Sequence, residues 1–268
     1  MNISEAAKHE ADFDDVIQEI KWEEICFQDK NTLNDNEYVR PDIVGLAVDY
    51  LSRMMITGDK NKAFRISLMF KRLTKYPPES WVCHAADRLF DHITGLDDSS
   101  IIDACQLVCF DTLYRRSDKY SAFLSDYNRY SKLPYEYYIS TVENIRIMVQ
   151  RCIEYFKGWN SLDIGFGVHY AWLHGDGDYC ADSELCDLKV SKYKLHEGPY
   201  PQENFLHHTK QVLLYWYAGL HTEGLDFSII DTLSIFNPRL NIAWKLKVSQ
   251  LPEDLFDELD MFCWECLW

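Results

Sequence analysis

The sequence predicts an α/β protein whose first half is helical and whose second half adds strands between helices. Three observations predict this fold class. Apolar residues recur at helical spacing in several segments before residue 157, and a run with alternating residues around a polar centre marks a hairpin between Gly175 and Lys192. A long helical pattern over residues 203–220 then stands between that hairpin and two further strand-like runs. We therefore expect a central mixed sheet flanked by helices, with a helical N-terminal elaboration.

The N-terminal residues predict one amphipathic helix over residues 5–28 with a strongly acidic outer face. Its apolar positions are Phe13, Val16, Ile17, Ile20, Trp22 and Ile25. The polar run NTLNDNE at residues 31–37 predicts a linker. We divide the chain accordingly into an acidic N-terminal helix and linker (1–39), a helical region (40–132) and the α/β core with its acidic C-terminal helix (133–268).

The region after the linker predicts helices only. Pro41 favours the first turn of a helix that Gly58 ends. Further helices are predicted over residues 60–75, 80–93 and 99–115, and a long one over 137–157. In the second half, strands are predicted at 166–174, 229–236 and 241–248, and a last helix starts at Pro252.

The stretch GDGDYCADSELCDLKVSK, residues 175–192, carries the candidate chemistry. Its polar centre, Asp182-Ser183, predicts a turn of two or four residues, and either length places Asp178 directly opposite Asp187. Opposed residues have Cβ atoms about 4.5–5.5 Å apart, so two carboxylates there repel each other unless a cation lies between them. Lys189 follows Asp187 by two residues and therefore lies on the same face of its strand.

This arrangement of Asp178 followed by Asp187-x-Lys189 resembles the PD-(D/E)xK nuclease superfamily. The next helix contains Gln211 and Tyr215 as a Q-x-x-x-Y motif, which is similar to the RecB-like branch. The resemblance covers about residues 175–220, with four matched elements in the same order. It implies a restriction-endonuclease-like core.

The resemblance implies a metal-dependent nuclease that hydrolyses phosphodiester bonds, with DNA a more probable substrate than RNA. Asp178, Asp187 and the backbone carbonyl of Leu188 would bind Mg²⁺ (or Mn²⁺), Lys189 would orient the attacking water, Gln211 would position the site and Tyr215 would pack near the substrate. A helix before the hairpin often adds a third acid in this superfamily. The candidates for that acid are Glu143 and Glu154 in the helix predicted over 137–157, with His169 and His174 as alternatives.

Composition argues against a membrane-spanning protein and against strong nonspecific binding of nucleic acid. No apolar run reaches the roughly 18 residues of a membrane helix, the first residues are acidic rather than basic, and nine scattered cysteines fit reduced thiols. We therefore expect a soluble cytoplasmic protein and interpret Cys263 and Cys266 as buried apolar thiols. The net charge of −16 predicts weak nonspecific affinity for nucleic acid, because phosphate contacts by Lys and Arg supply most of that affinity.

The charge favours an alternative function. The acids concentrate at the two ends of the chain, with 11 acids and 3 bases in residues 1–39 and 6 acids without a base in residues 251–268. A noncatalytic protein on a nuclease-derived fold could use these ends to bind a basic protein partner, as a regulator or inhibitor in a phage or host defence system. A structural helical protein with fortuitous motifs is a third interpretation.

Overall fold

A computed structural model describes residues 1–9, 13–116, 118–160, 163–181 and 183–265 of the chain. By compactness the chain divides into a sheet unit, Met1–Gln28 with Gly158–Trp268, and a helical unit, Asp29–Lys157. This division differs from the predicted boundaries after residues 39 and 132. The N-terminal residues belong to the sheet unit, and the long helix that ends before residue 157 belongs to the helical unit.

The described helices and strands have the following bounds in chain order. They are α1 (Ile3–Ala6), α2 (Asp14–Glu19), β1 (Glu23–Cys26), α3 (Pro41–Thr57), α4 (Lys60–Ala63), α5 (Arg65–Met69), α6 (Trp81–His92), α7 (Asp98–Leu107), α8 (Asp111–Arg115), α9 (Tyr120–Ser131), α10 (Tyr135–Tyr155), β2 (Asp163–Ile164), β3 (Gly167–Tyr170), β4 (Leu173–Asp176), β5 (Tyr179–Ala181), β6 (Glu184–Leu188), α11 (Pro201–Leu220), β7 (Thr232–Asn237), β8 (Ile242–Lys247) and α12 (Asp254–Glu265). None of these helices is long and apolar enough to cross a lipid bilayer.

The helical unit has no strand among its described residues, as the sequence predicts. Pro41 starts α3, and Gly58 ends it in the left-handed conformation with φ 71°, which glycine adopts without steric cost. The helix predicted over 60–75 is wrong as one element, because the structure breaks it into α4, α5 and a 3₁₀ turn. The segment over 99–115 is likewise divided into α7, a 3₁₀ turn and α8, and α9 was not predicted.

The sheet unit is built on a mixed six-stranded sheet in the order β1-β8-β7-β6-β5-β2. The pair β6–β7 is parallel, and the other neighbours are antiparallel. A parallel pair needs a crossover, and α11 lies in the connection between these two strands. Every residue of β7 is buried, and Val212, Leu213 and Leu214 of α11 are fully buried in the adjoining core. These features confirm the expected α/β class with a mixed sheet and flanking helices.

The predicted catalytic hairpin is present with the expected register. Strands β5 and β6 pair antiparallel, with Tyr179 opposite Cys186 and Ala181 opposite Glu184. Asp182, half of the predicted turn, lies outside the described residues. The strand predicted over 166–174 is wrong as a single element. It is the two-stranded sheet β3–β4, and its chain reverses at Ala171, which has a positive φ of 49°.

The predicted N-terminal helix over residues 5–28 is also wrong. The described part forms the two short helices α1 and α2 and then the edge strand β1, which pairs with β8. Ile20 has ψ 128°, so the backbone is already extended there. Trp22 and Ile25, which continued the apolar pattern, therefore belong to an extended segment and not to a helix.

Candidate active site

The two predicted aspartates are brought together at one end of the hairpin. Asp187 belongs to β6, and Asp178 directly precedes β5. Extending the register one residue beyond the Tyr179–Cys186 pair places them opposite each other. The backbone N–H of Leu188 donates to Oδ2 of Asp178 at 2.8 Å, and the carboxyl groups of Asp178 and Asp187 are within hydrogen-bonding reach. Asp187 is only 3% exposed whereas Asp178 is half-buried, so the pair joins a buried carboxyl group to one that solvent can reach.

Lys189 supplies the positive charge that the sequence placed here. Its Nζ lies 2.7 Å from Oδ2 of Asp187 and donates to Oε1 of Gln211 at 3.0 Å. The backbone N–H of Lys189 donates to the carbonyl of Phe236 at 2.9 Å, which continues the β6–β7 ladder to this residue. The side chain is 21% exposed. The ammonium is therefore held by two acceptors, while part of the side chain remains open to solvent.

The electrostatic surroundings of Asp187 and Lys189 give these two groups different roles. Burial and the negative charge of Asp178 raise the pKa of Asp187 well above its usual value, against the opposing effect of Lys189. Burial opposes the charge on Lys189, but Asp187 and Asp178 outweigh it and raise the pKa of that amine. Lys189 is thus a fixed cation rather than a base at neutral pH, whereas the charged form of Asp187 is disfavoured by its surroundings.

Helix α11 positions the two residues of the Q-x-x-x-Y motif. Gln211 and Tyr215 lie one helical turn apart, so they share a face, and both are buried. Tyr215 packs on β4, where a Cβ on Gly175 would lie 2.9 Å from Cε1 of the ring. Burial raises the pKa of Tyr215 to about 12, so its phenol is neutral at physiological pH.

A small cavity opens beside Lys189. Its volume is about 70 Å³. It is lined by Lys189, Ser191, Tyr193, Lys194, Leu195, Asn204, His208, Ile235, Asn237 and Trp244. Lys194 in this lining forms an ion pair with Glu24 at 2.6 Å, so the lining has polar donors but little uncompensated positive charge. His208 of α11 forms part of its wall.

Sequence reasoning missed Ser4, which contacts both motif residues of α11. Gln211 Nε2 donates to Ser4 Oγ at 2.9 Å, and the Ser4 hydroxyl also hydrogen-bonds the side chain of Tyr215. The two partners are about 200 residues away from Ser4 along the chain, and no local pattern links them. Only the strand and helix order of the folded unit brings them together.

The expected third acid is not found among the described residues. Glu143 and Glu154 lie on α10 in the helical unit, where Glu143 accepts from Asn34 Nδ2 at 2.9 Å and Glu154 lies 3.6 Å from Lys157 Nζ. His169 and His174 face each other across β3–β4. Within the part of the chain that the structure describes, no group of three or more His, Cys, Asp or Glu side chains could hold a metal ion. The structure therefore does not support Glu143 or Glu154 as a metal ligand.

The residues present still fit a hard divalent cation. The negative charge of Asp178 adds to burial in raising the pKa of Asp187, and a cation between the two carboxylates would relieve that repulsion. Mg²⁺ keeps several waters and is commonly held by one or two carboxylates together with substrate phosphates. Asp178 and Asp187 supply those carboxylates, while a role for the Leu188 carbonyl stays a prediction.

Of the two C-terminal cysteines, Cys263 is a buried free thiol, and Cys266 lies outside the described residues.

Comparison of the chain with protein-family models, curated proteins and solved structures found no match in any of the three.

Proposed function

We propose that the chain is a metal-dependent nuclease that hydrolyses phosphodiester bonds, with DNA as the favoured substrate. One observation carries this proposal: the Nζ of Lys189 lies 2.7 Å from Oδ2 of the buried Asp187, at the point where Asp178 lies opposite that residue. Gln211 holds the same ammonium from the other side at 3.0 Å. Two acids, a lysine and an amide from three different elements converge there, in the pattern of the superfamily that the sequence resembles.

Each residue of the site would have its own role in the cleavage reaction. Asp178 and Asp187 would hold Mg²⁺ or Mn²⁺, which when bound polarises a phosphate and makes a water more acidic. Lys189, kept cationic by its carboxylate neighbours, would orient that water and offset the negative charge that develops on the phosphate oxygens. Gln211 fixes the position of the Lys189 ammonium, and the neutral Tyr215 forms part of the site wall against β4.

The proposal is tested by replacing Asp187 and Lys189 separately. We expect Asp187→Asn and Lys189→Ala each to lower metal-dependent cleavage of a DNA panel by at least about 100-fold, because each removes a charge that acts in the transition state. Lys247→Ala is the matched control, since Lys247 is 56% exposed in a surface pair with Asp231. Cleavage that survives both site substitutions would show that the activity arises elsewhere.

A noncatalytic function is favoured by one specific observation. The sheet unit, which contains the candidate site, has 25 acids and 9 bases, whereas the helical unit has 18 of each. The whole net charge therefore belongs to the unit that would have to receive nucleic acid. An acidic interaction protein on a nuclease-derived fold, acting as a regulator or inhibitor in phage or host defence, would bind a basic partner with this charge.

Titration calorimetry with Mg²⁺ and Mn²⁺ separates the two functions. A nuclease binds the ion and loses binding on Asp178→Asn, which leaves one carboxylate at the site. An interaction protein has no need of a competent metal site, so absence of binding to the native protein would favour that function. Asp231→Asn, an exposed carboxylate in the same unit, is the control for nonspecific charge effects.

A further inference from the structure

Residues 1–9 and 13–20, which we call the N-terminal segment, pack against α11 and β4. The backbone N–H of His174 in β4 donates to the carbonyl of Met1 at 3.1 Å, and Ile3 is fully buried. Farther along, Nζ of Lys210 donates to the carbonyl of His9 at 2.6 Å and pairs with Asp14 at 2.9 Å. The rest of the sheet unit thus contacts the segment at its start, through Met1, and farther along, through His9 and Asp14.

Ser4 lies at the middle of this docking surface and has a fixed position. Asn2 caps α1, because its Oδ1 accepts from the backbone N–H of Ser4 at 2.9 Å. The Ser4 hydroxyl then accepts from Gln211 Nε2 at 2.9 Å and bonds the Tyr215 side chain. One hydroxyl therefore contacts both residues of the Q-x-x-x-Y motif.

The chemistry of the Gln211 amide makes this contact consequential. An amide side chain has a donor end and an acceptor end, whereas an ammonium only donates. Gln211 can accept from Lys189 only through its oxygen, and its NH₂ group must then find an acceptor on the other side. Ser4 Oγ is that acceptor. Without it, the NH₂ group loses its acceptor, and the amide is held only by the hydrogen bond from Lys189 to Oε1.

We propose that Ser4 is a positioning residue of the candidate site: through Gln211 it fixes the Lys189 ammonium beside Asp187. The N-terminal segment is then a working part of the site and not an accessory helix. The effect on cleavage rests on the proposed function. The effect on Gln211 and Lys189 does not depend on it, because it follows from the hydrogen bonds alone.

The experiment compares Ser4→Ala, which removes the hydroxyl, with Ser4→Thr, which keeps it. Ser140→Ala is the control, since the Ser140 hydroxyl likewise forms a hydrogen bond, to the backbone carbonyl of Asn36 at 2.6 Å, but lies in the helical unit. The readouts are the Gln211 side-chain amide signals and the Lys189 Nζ titration by NMR, and kcat and KM for metal-dependent cleavage. Ser4→Ala is expected to shift the Gln211 signals and to lower kcat about fivefold to tenfold with little change in KM. Ser4→Thr should restore both.

A double-mutant cycle distinguishes an effect of Ser4 through Gln211 from a general loss of stability. In a Gln211→Met background the bridge is already broken, so Ser4→Ala should change neither the Lys189 titration nor kcat further. Additive effects of the two substitutions, or unchanged Gln211 signals in Ser4→Ala, would overturn the inference. If the native protein cleaves no substrate with Mg²⁺ or Mn²⁺, the proposed function fails, while the NMR readouts still decide whether Ser4 positions Lys189.

Discussion

Two adjacent histidines of α11 make the stability of the sheet unit sensitive to acid. Burial, reinforced by the charge of Lys189, lowers the pKa of His207 to about 4 and places the pKa of His208 well below its usual value. The unfolded chain takes up these protons near pH 6.5, so stability is lost as the pH falls from 6.5 toward 4. We predict that His207→Gln reduces this loss by about 1–2 kcal/mol over that interval, measured by urea unfolding at several pH values.

The control for this prediction is His84→Gln. His84 is exposed on α6 in the helical unit, and its replacement should leave the pH dependence unchanged. A His207→Gln protein that loses stability between pH 6.5 and 4 as steeply as the native protein would contradict the assignment of the proton uptake to this residue.

Close packing of Tyr215 on β4 depends on a single glycine. A Cβ at Gly175 would lie 2.9 Å from Cε1 and 3.2 Å from the hydroxyl of Tyr215, so a methyl group must displace the ring. We predict that Gly175→Ala costs about 1–3 kcal/mol and weakens cleavage, measured by thermal unfolding and by kcat. Gly167→Ala, on the neighbouring strand with its nearest atom at 4.0 Å, should cost much less. Equal effects of the two substitutions would mean that contact with Tyr215 is not the cause.

At the scale of elements, the sequence predicts those parts whose partners are close along the chain. Alternation places Asp178 opposite Asp187 because the hairpin closes within a few residues, and helical spacing puts Gln211 and Tyr215 on one face of α11. The N-terminal helix over 5–28 is mispredicted because acids alternate with apolar residues throughout, a pattern that short helices and an edge strand satisfy equally well. The contact of Ser4 with Gln211 and the pairing of β1 with β8 depend on distant residues, which single-sequence periodicity does not encode.

Helix α11 is joined to the N-terminal segment by a buried charged residue. Lys210 is 3% exposed and its ammonium is satisfied by Asp14 and the carbonyl of His9. We predict that Lys210→Met destabilises the protein by about 2–4 kcal/mol, because it leaves the Asp14 carboxylate without its cation in a partly buried position. Chemical denaturation measures this change. Lys247→Met, which removes an exposed pair, should change stability by less than about 1 kcal/mol, and similar losses for both would show that burial of the pair is unimportant.

At the scale of the whole molecule, the distribution of charge follows the compact units and not the predicted segments. The sequence correctly locates acids at the two ends of the chain, but both ends belong to the sheet unit. The predicted boundary after residue 39 fails to show this, because membership of that unit is decided by pairing with β8 and docking on α11. Residues 40–250, with 26 acids and 24 bases, therefore combine a neutral helical unit with part of an acidic one.

For the proposed nuclease, this distribution predicts weak contact with nucleic acid. With 25 acids against 9 bases in the sheet unit, few phosphates can be neutralised by side chains, so both the affinity and its salt dependence should be small. We predict a Kd above about 10 µM for nonspecific duplex DNA in chelator at about 0.15 M salt, measured by fluorescence anisotropy. Replacing Asp257 and Glu258 of α12 by Asn and Gln should strengthen binding slightly, because repulsion falls. Submicromolar binding in chelator would mean that a concentrated basic surface outweighs the acidic unit. No cation would then be needed between the protein and the phosphates.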